Sequence, residues 1–233
     1  DGAPGYGIFV QQGTVLNDRI AEAHKALGHE IDPKSDKKKA SREQVGAARA
    51  EMCKRFFDVR TFGAVMSTGA NAGQVRGPVQ LSFSRSVDPI LPLDLSITRM
   101  AVTEAKEADS PNQTMGRKNL IPYGLYRCHG FISAHLARET GFNDADLELF
   151  WQALQQMFDH DRSASRGTMA PRKLWVFKHD TALGNAPAHK LFERVTAKRR
   201  TAVAVGREFS DYEVTPKAEA EKDLKGVKLI ELL

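Results

Sequence analysis

The sequence predicts an α+β fold of ferredoxin-like order. Three observations carry that prediction: a capped amphipathic helix opening at Ser41, a second at Asn143, and strand-like runs on either side of a long central connection. From Ser41 to Lys178 the order is helix, strand, arm, strand, helix, strand. That is a βαββαβ pattern whose first strand is not evident in the sequence.

The elements follow in chain order. GAPGYG is turn-like, Ile8 to Leu16 reads as a short strand, and Asn17 caps a short helix, Asp18 to Leu27, stopped by Gly28. Lys34 to Lys39 is a solvated charge run. Ser41 supplies an N-cap with Gln44 at the capping-box position, and Val45, Ala48, Met52 and Phe56 recur at helical spacing. Cys53 lies beside that face and reads as a small buried hydrophobe.

The stretch Asp58 to Ser86 then crosses a glycine-rich loop (Gly69, Asn71, Ala72, Gly73) and carries Arg76 and Gly77 into a strand, Pro78 to Ser84. Pro89 and Pro92 break regular structure after it. Ser96 to Thr103 is extended, Glu104 to Gln113 is a polar tip, and Thr114 to Asn119 leads back into a strand, Tyr123 to Ser133. The connection Val87 to Pro122 is long enough to be functional and is most simply a projecting hairpin. Asn143 caps a helix to Asp159, with Leu147, Phe150, Trp151, Leu154, Met157 and Phe158 on one apolar face, which makes Trp151 a core residue. A loop, HDRSASRGTMAPRK, precedes a strand at Leu174 to Lys178. Pro187 starts a helix to about Lys198, and the tail adds strands at Tyr212 to Val214 and Val227 to Leu232.

Composition narrows the function classes. The chain has 233 residues, 41% hydrophobic and 27% charged, with a formal net charge of +5. Charge is segregated: residues 160–200 hold ten Lys/Arg and three Asp/Glu, a net of +7, whereas residues 131–159 hold one and five, a net of −4. A basic face of this kind suits nucleic acid, and a solvated surface is the competing reading. Two cysteines without CxxC spacing argue against a disulfide framework or a cysteine zinc site, and fit a cytoplasmic location. No apolar run approaches the length of a membrane helix, so no membrane partner is expected.

Several side-chain groups point to a polyanion. Asn71, Gln74 and Arg76 place amide and guanidinium donors beside glycine backbone, a mix that suits phosphate and ribose, with tight loop packing as the alternative. In the arm, Arg99, Arg117 and Lys118 accompany Met100 and Met115, so cations that hold a backbone adjoin apolar wedges that unstack bases. An arm that packs against another subunit is the alternative. Arg162, Ser163 and Arg166 form a candidate phosphate cradle. Arg60, Arg85 and Lys173 complete the set assigned to RNA contact. The doublets His160-Asp161 and His179-Asp180 lack a converging third pair of ligands, so neither a metal nor a cofactor is expected. No catalytic constellation is evident, and the βαββαβ layout is the one RNA-recognition modules use with their sheet as platform.

The blocks DVRTFGAVMSTGANAGQVRGPVQLSFSRSVDPI, SITRMAVT, TMGRKNLIPYGLYRCHGFIS, FDHDRSASRGTMAPRKLWVFKH and LGNAPAHKLF, taken together, resemble the backbone subunit of type I-C CRISPR surveillance complexes. That is the Csd-type member of the Cas-seven family, and the resemblance runs from about Phe57 to Val195. It implies one hand-shaped domain with an RRM-like palm (41–86 and 123–200), a fingers or irregular region (1–40), a thumb (87–122) and C-terminal short strands (201–233). It further implies a non-enzymatic protein that polymerises on the CRISPR guide RNA beside other Cascade subunits and presents the guide to target DNA. Thumbs displace bases at intervals, which assigns Met100 and Met115 that role. The family's opening strand and its Asn/Gly/Asp/Pro-rich turn are not found, so the palm's first strand is expected to lie outside this sequence. The alternatives are a ribonuclease using Asp161, Asp180 or His160, and a stand-alone RNA-binding module.

Overall fold

The computed structural model describes residues 3–32, 39–104, 115–217 and 224–233. Helices and strands come in runs, and the strands described form no one large sheet. Helix α1 (Leu16–Ala26) and α2 (Arg42–Arg55) precede a short α3 (Phe57–Phe62), and then come β1 (Gly63–Met66), β2 (Gly73–Arg76), β3 (Val79–Leu81) and β4 (Arg85–Ser86). The arm follows as β5 (Leu93–Thr98) and β6 (Met115–Leu120), and the chain returns through β7 (Tyr126–Arg127) and β8 (Gly130–Ile132). Helices α4 (Ala134–Thr140) and α5 (Asp144–His160), β9 (Trp175–His179), α6 (Ala188–Phe192), β10 (Val195–Arg199), β11 (Tyr212–Pro216) and β12 (Val227–Glu231) complete it.

Among the described residues the strands pair two by two, all antiparallel: β1 with β2, β3 with β8, β4 with β7, β5 with β6, β9 with β12 and β10 with β11. The expected single sheet is therefore replaced by six ribbons. The predicted partnership of Pro78–Ser84 with Tyr123–Ser133 is present as β3–β8 and β4–β7, with Ser82 N donating to His129 O at 2.8 Å between them. The arm is a hairpin, with Leu93 opposite Leu120 and Thr98 opposite Met115. Most of its expected polar tip, residues 105–114, lies outside the described residues, as does most of the charge run, residues 33–38.

Local chemistry explains the helices. Ser41 Oγ accepts from Gln44 N while Gln44 Oε1 accepts from Ser41 N, the reciprocal capping box expected from the sequence. Asn143 caps α5 in the same way, with Asp146 as its reciprocal partner. Three predictions differ. Val15 rather than Asn17 stands at the N-cap of α1, without a side-chain cap, because Asn17 Oδ1 accepts instead from Thr68 Oγ1 at 2.8 Å. Ile8–Leu16 forms no strand, because Asp58 captures the N–H groups of Phe9 and Val10 at 2.9 and 3.0 Å and wraps this segment around the start of α3. The helix expected from Pro187 to Lys198 stops at Phe192. Val195, Thr196 and Ala197, largely branched or small, instead join a ladder with β11, where β-branched side chains pack well. Helix α4 is an element the sequence reading left out.

Two clusters make the core. The first gathers Phe9 from the amino-terminal segment, Ile20, Met52, Val59 and Met66 from α1, α2, α3 and β1, and Phe56 between α2 and α3, and includes Cys53 as expected. The second gathers Val79, Phe142 and Phe150, with Trp151 packed against it. Each fully buried large side chain contributes about 1.5–3 kcal/mol. Helix α3 stands between the clusters, and Arg60 joins them. Its Nε and Nη2 donate to Asp146 Oδ2 and Oδ1 at 2.9 and 2.6 Å, and its Nη1 donates to Gly5 O. Its guanidinium lies 4.9 Å from the Tyr6 ring centroid and 5.4 Å from that of Phe57. Arg60 is 6% exposed and Asp146 0%.

Arg60 is therefore a correction to the sequence reading. A side chain consumed in this way inside the protein presents no donor to RNA. Replacing Asp146 with Ala leaves the guanidinium buried and unpaired and also removes the α5 capping box, so we expect a loss of about 3–5 kcal/mol in urea unfolding. A loss below about 1 kcal/mol, the value of a surface pair, would show that the pair is not structural.

Candidate nucleic-acid interface

The glycine-rich loop is a packed turn. Asn71 sits at φ 57°, its Oδ1 accepts from Gly73 N at 2.9 Å, and Ala72 N donates to Met66 O at 2.8 Å. An asparagine tolerates this left-handed conformation because its short amide bonds its own backbone. Ala70 and Ala72 are buried beneath it. Of the readings left open at the sequence level, tight packing describes this loop, and Asn71 is committed to the turn.

The turn delivers β2, and β2 carries the exposed donors. Strand alternation puts Val75 inward against the first cluster and Gln74 and Arg76 on the outer face. Gly63 and Gly77 let the hairpin close at its base. A Cβ on Gly63 would lie 2.4 Å from Val75 O, and one on Gly77 would lie 2.2 Å from the Phe62 carbonyl carbon. Outside this base an open cleft of 590 Å³ is lined by Phe62, Val65, Gln74, Arg76 and Gln80 among others. The apolar members, and Gln80 with them, were not identified from sequence, because their meeting depends on the β1–β2 register.

Arg85 is exposed on β4, and the register sets it directly opposite Arg127. Like charges facing each other across a ladder are unfavourable. Arg127 turns inward, donating to Phe192 O at 2.6 Å, and burial lowers its pKa. Arg85 and Arg76 have no side-chain hydrogen bond or ion pair among the described residues.

On the arm, alternation separates two faces. Asp94, Ser96 and Thr98 share one with Met115, Arg117 and Asn119, while Leu93, Leu95 and Ile97 share the other with Lys118 and Leu120. Arg117 lies 3.6 Å from Asp94 in a largely exposed pair. Arg99 and Met100 follow β5 directly, next to the Thr98–Met115 end of the ladder. Met100 is 80% exposed and Met115 68%, so neither is part of a core within this chain.

The basic segment is more self-contained than its composition suggests. Arg162 donates to Asp159 Oδ1, Asp159 O and Gly167 O, and Arg166 donates to Asp161 Oδ1 at 2.8 Å. Ser163 Oγ lies 3.4 Å from Ser165 Oγ. Lys173 pairs with Glu231 at 2.5 Å and Lys198 with Glu213 at 3.4 Å. The loop is thus a closed network at the end of α5, its cations exposed but partnered. His179 Nδ1 accepts from Asn185 N at 2.8 Å. Among the described residues no group of three or more His, Cys, Asp or Glu could hold a metal ion, and no helix is long and apolar enough to cross a membrane.

His24 ties α1 to the turn. It is buried, its Nε2 lies 3.1 Å from Asn71 O and its Nδ1 lies 3.0 Å from His29 Nδ1. A carbonyl only accepts, so Nε2 carries the proton and His29 donates to Nδ1. Burial, and then the neighbouring His29, lower the His24 pKa below its ordinary 6.5, against the bond to Asn71. The unfolded chain therefore takes up the proton first as pH falls. Stability from the neutral ring is complete above that ordinary value and is lost as pH drops through the folded-state value. The His24→Gln variant can keep a donor to Asn71 and should show a flatter decline of thermal stability on acidification from neutrality. Equal slopes would refute this.

Comparison with known proteins adds two findings. The family described as CRISPR-associated protein Cas7 matches residues 1–217. A solved structure described as "CRISPR RNA-guided surveillance complex, pre-nicking" is similar at 13% identity over 72% of this chain and 58% of that chain, with a TM-score of 0.41. This chain thus spans less than two thirds of that one. No curated protein matches significantly.

Proposed function

The chain belongs to the CRISPR-associated protein Cas7 family, and on that premise we propose that it is the guide-RNA-binding backbone protein of a type I-C Cascade complex. Copies polymerise along the CRISPR RNA beside other Cascade subunits, and the RNA, held by its sugar-phosphate backbone, pairs with target DNA. The protein is a non-catalytic scaffold in the cytoplasm. Sequence discrimination is left to base pairing, so the protein needs only to recognise backbone and shape.

In this reading residues 41–86 and 123–200 are an RRM-like palm, 87–122 the thumb, 1–40 the fingers or an irregular region, and 201–233 supporting strands. Met100 and Met115 are the thumb's apolar wedges, with Arg99, Arg117 and Lys118 holding phosphates around them. Gln74, Arg76 and Arg85 grip the backbone at the palm. Arg162, Ser163, Arg166 and Lys173 are secondary contacts, since the three cations must exchange carboxylate partners for phosphate.

The observation that supports the reading best is that Arg85 on β4 and Arg76 on β2 are both exposed with no side-chain hydrogen bond or ion pair among the described residues. An exposed guanidinium without a carboxylate partner takes up a phosphate with no existing pair to break first. The double variant Arg76→Ala/Arg85→Ala should bind guide RNA about ten- to a hundredfold more weakly, equally for unrelated spacers, with a salt slope shallower by about 0.7 per lost contact. Arg166→Ala alone should lose less. Unchanged affinity and salt slope in the double variant would overturn the assignment.

A further inference from the structure

The palm ribbon and the arm are one continuous hairpin with a break in it. Val87 N donates to Leu125 O at 2.8 Å, and pairing resumes at Leu93 opposite Leu120. Between these points, Asp88–Pro92 and Ile121–Gly124 share no ladder hydrogen bonds. Pro89, Pro92 and Pro122 lack the N–H a ladder requires, so the sequence itself keeps this joint open. A two-stranded ribbon with such an interruption bends there unless something else holds it.

The something else comes from β10 and β11, far along the chain. On the outgoing side, Arg199 Nε of β10 lies 3.3 Å from Asp88 Oδ2, and the Tyr212 phenol of β11 neighbours the same carboxylate. On the returning side, the Tyr123 ring stacks on the Tyr212 ring, with centroids 6.1 Å apart and planes 28° from parallel. Arg199 and Tyr212 are themselves opposite one another in the β10–β11 register. Two residues on one ribbon thus reach both strands of the joint. Tyr212 is 5% exposed, and a Cβ on Gly206 would lie 2.3 Å from its hydroxyl, so the ring has little freedom to move. Burial first, and then the neighbouring Asp88 carboxylate, push the Tyr212 phenol up to about 12, so the ring stays uncharged beside that carboxylate.

We infer that Asp88, Arg199 and Tyr212 are positioning residues that clamp the open joint and fix the angle of the arm relative to the palm. The clamp itself rests on geometry alone; its consequence for guide binding rests on the proposed function. None of the three needs to touch RNA. They act through Met100, Met115 and Arg117, whose placement depends on the direction in which the arm leaves the palm.

The test measures the arm angle without RNA. In a Cys128→Ser background, spin labels at Ser96→Cys on β5 and Gln156→Cys on α5 report the distance from arm to palm. A second pair, Lys54→Cys with Gln156→Cys, reports the palm alone. We expect one narrow arm–palm distribution in the parent, at least doubling in width in Asp88→Ala, which removes the partner of Arg199, and in Tyr123→Ala, which removes the ring stacked on Tyr212, while the palm pair is unchanged. An arm–palm distribution as narrow as the parent's in both variants overturns the clamp, and so does equal broadening of both pairs, which signals general loosening. Guide-RNA retention is then measured on the same proteins. Broadening with reduced retention supports both clamp and thumb role. Broadening with full retention keeps the clamp and overturns the role given to the arm.

Discussion

The buried pair of Arg60 and Asp146 is the constraint on which the rest of the structure depends. One carboxylate receives both prongs of the guanidinium and also the Asn143 N–H that starts α5. The same guanidinium binds the Gly5 carbonyl and lies against the stacked rings of Tyr6 and Phe57. Burying two charges costs several kcal/mol per ion, and only a full set of partners makes the arrangement tolerable. Each neighbour is thereby fixed in relation to the others: the amino-terminal segment, α3 between the two clusters, and the cap of α5. The β1–β2 hairpin begins directly at the end of α3, so the outward direction of Gln74 and Arg76 follows from where Arg60 is anchored.

Cations in this chain fall into distinct groups, and exposure alone does not separate them. Arg60 is internal and structural. Arg162, Arg166, Lys173 and Lys198 are at the surface but paired with carboxylates. Arg76 and Arg85 are exposed without such partners among the described residues. A run of positive charge in a sequence therefore overstates the positive field it generates, because acids both near and remote neutralise it: Asp159 and Asp161 answer Arg162 and Arg166 locally, and Glu213 and Glu231 answer Lys198 and Lys173 from the tail strands. Unpartnered cations are the ones that gain most from an incoming anion, since no existing pair has to be broken first.

Much of the fold was legible wherever local chemistry decides conformation. The Ser41 and Asn143 capping boxes, the apolar faces of α2 and α5, and the tail strands depend on residues within a few positions of one another, and they stand as expected. The projecting hairpin was legible for a similar reason, because prolines mark its root and length marks it as a connection. The failures were non-local. Ile8–Leu16 has strand-like residues, but Asp58, forty-eight positions from Val10, takes the N–H groups that a ladder would use. Val195–Arg199 continues a helical pattern on paper, yet a ladder partner at Tyr212–Pro216 makes it a strand. The glycine-rich loop resembled a phosphate-binding loop by composition and is a packed turn in which Asn71 Oδ1 accepts from Gly73 N and Ala72 N donates to Met66 O.

The sequence by itself determined the Ser41 and Asn143 caps, the amphipathic helices, the breaks at proline and the family resemblance, since each is written in spacing and side-chain type along a short length of chain. Tertiary structure alone decided which arginine is internal and which faces outward. It also decided that strands pair two by two, and that Asp88 and Tyr123 meet Tyr212 at the root of the arm. Those outcomes rest on register and on partners tens of residues away, and a side chain's role is set by what satisfies its charge and hydrogen bonds.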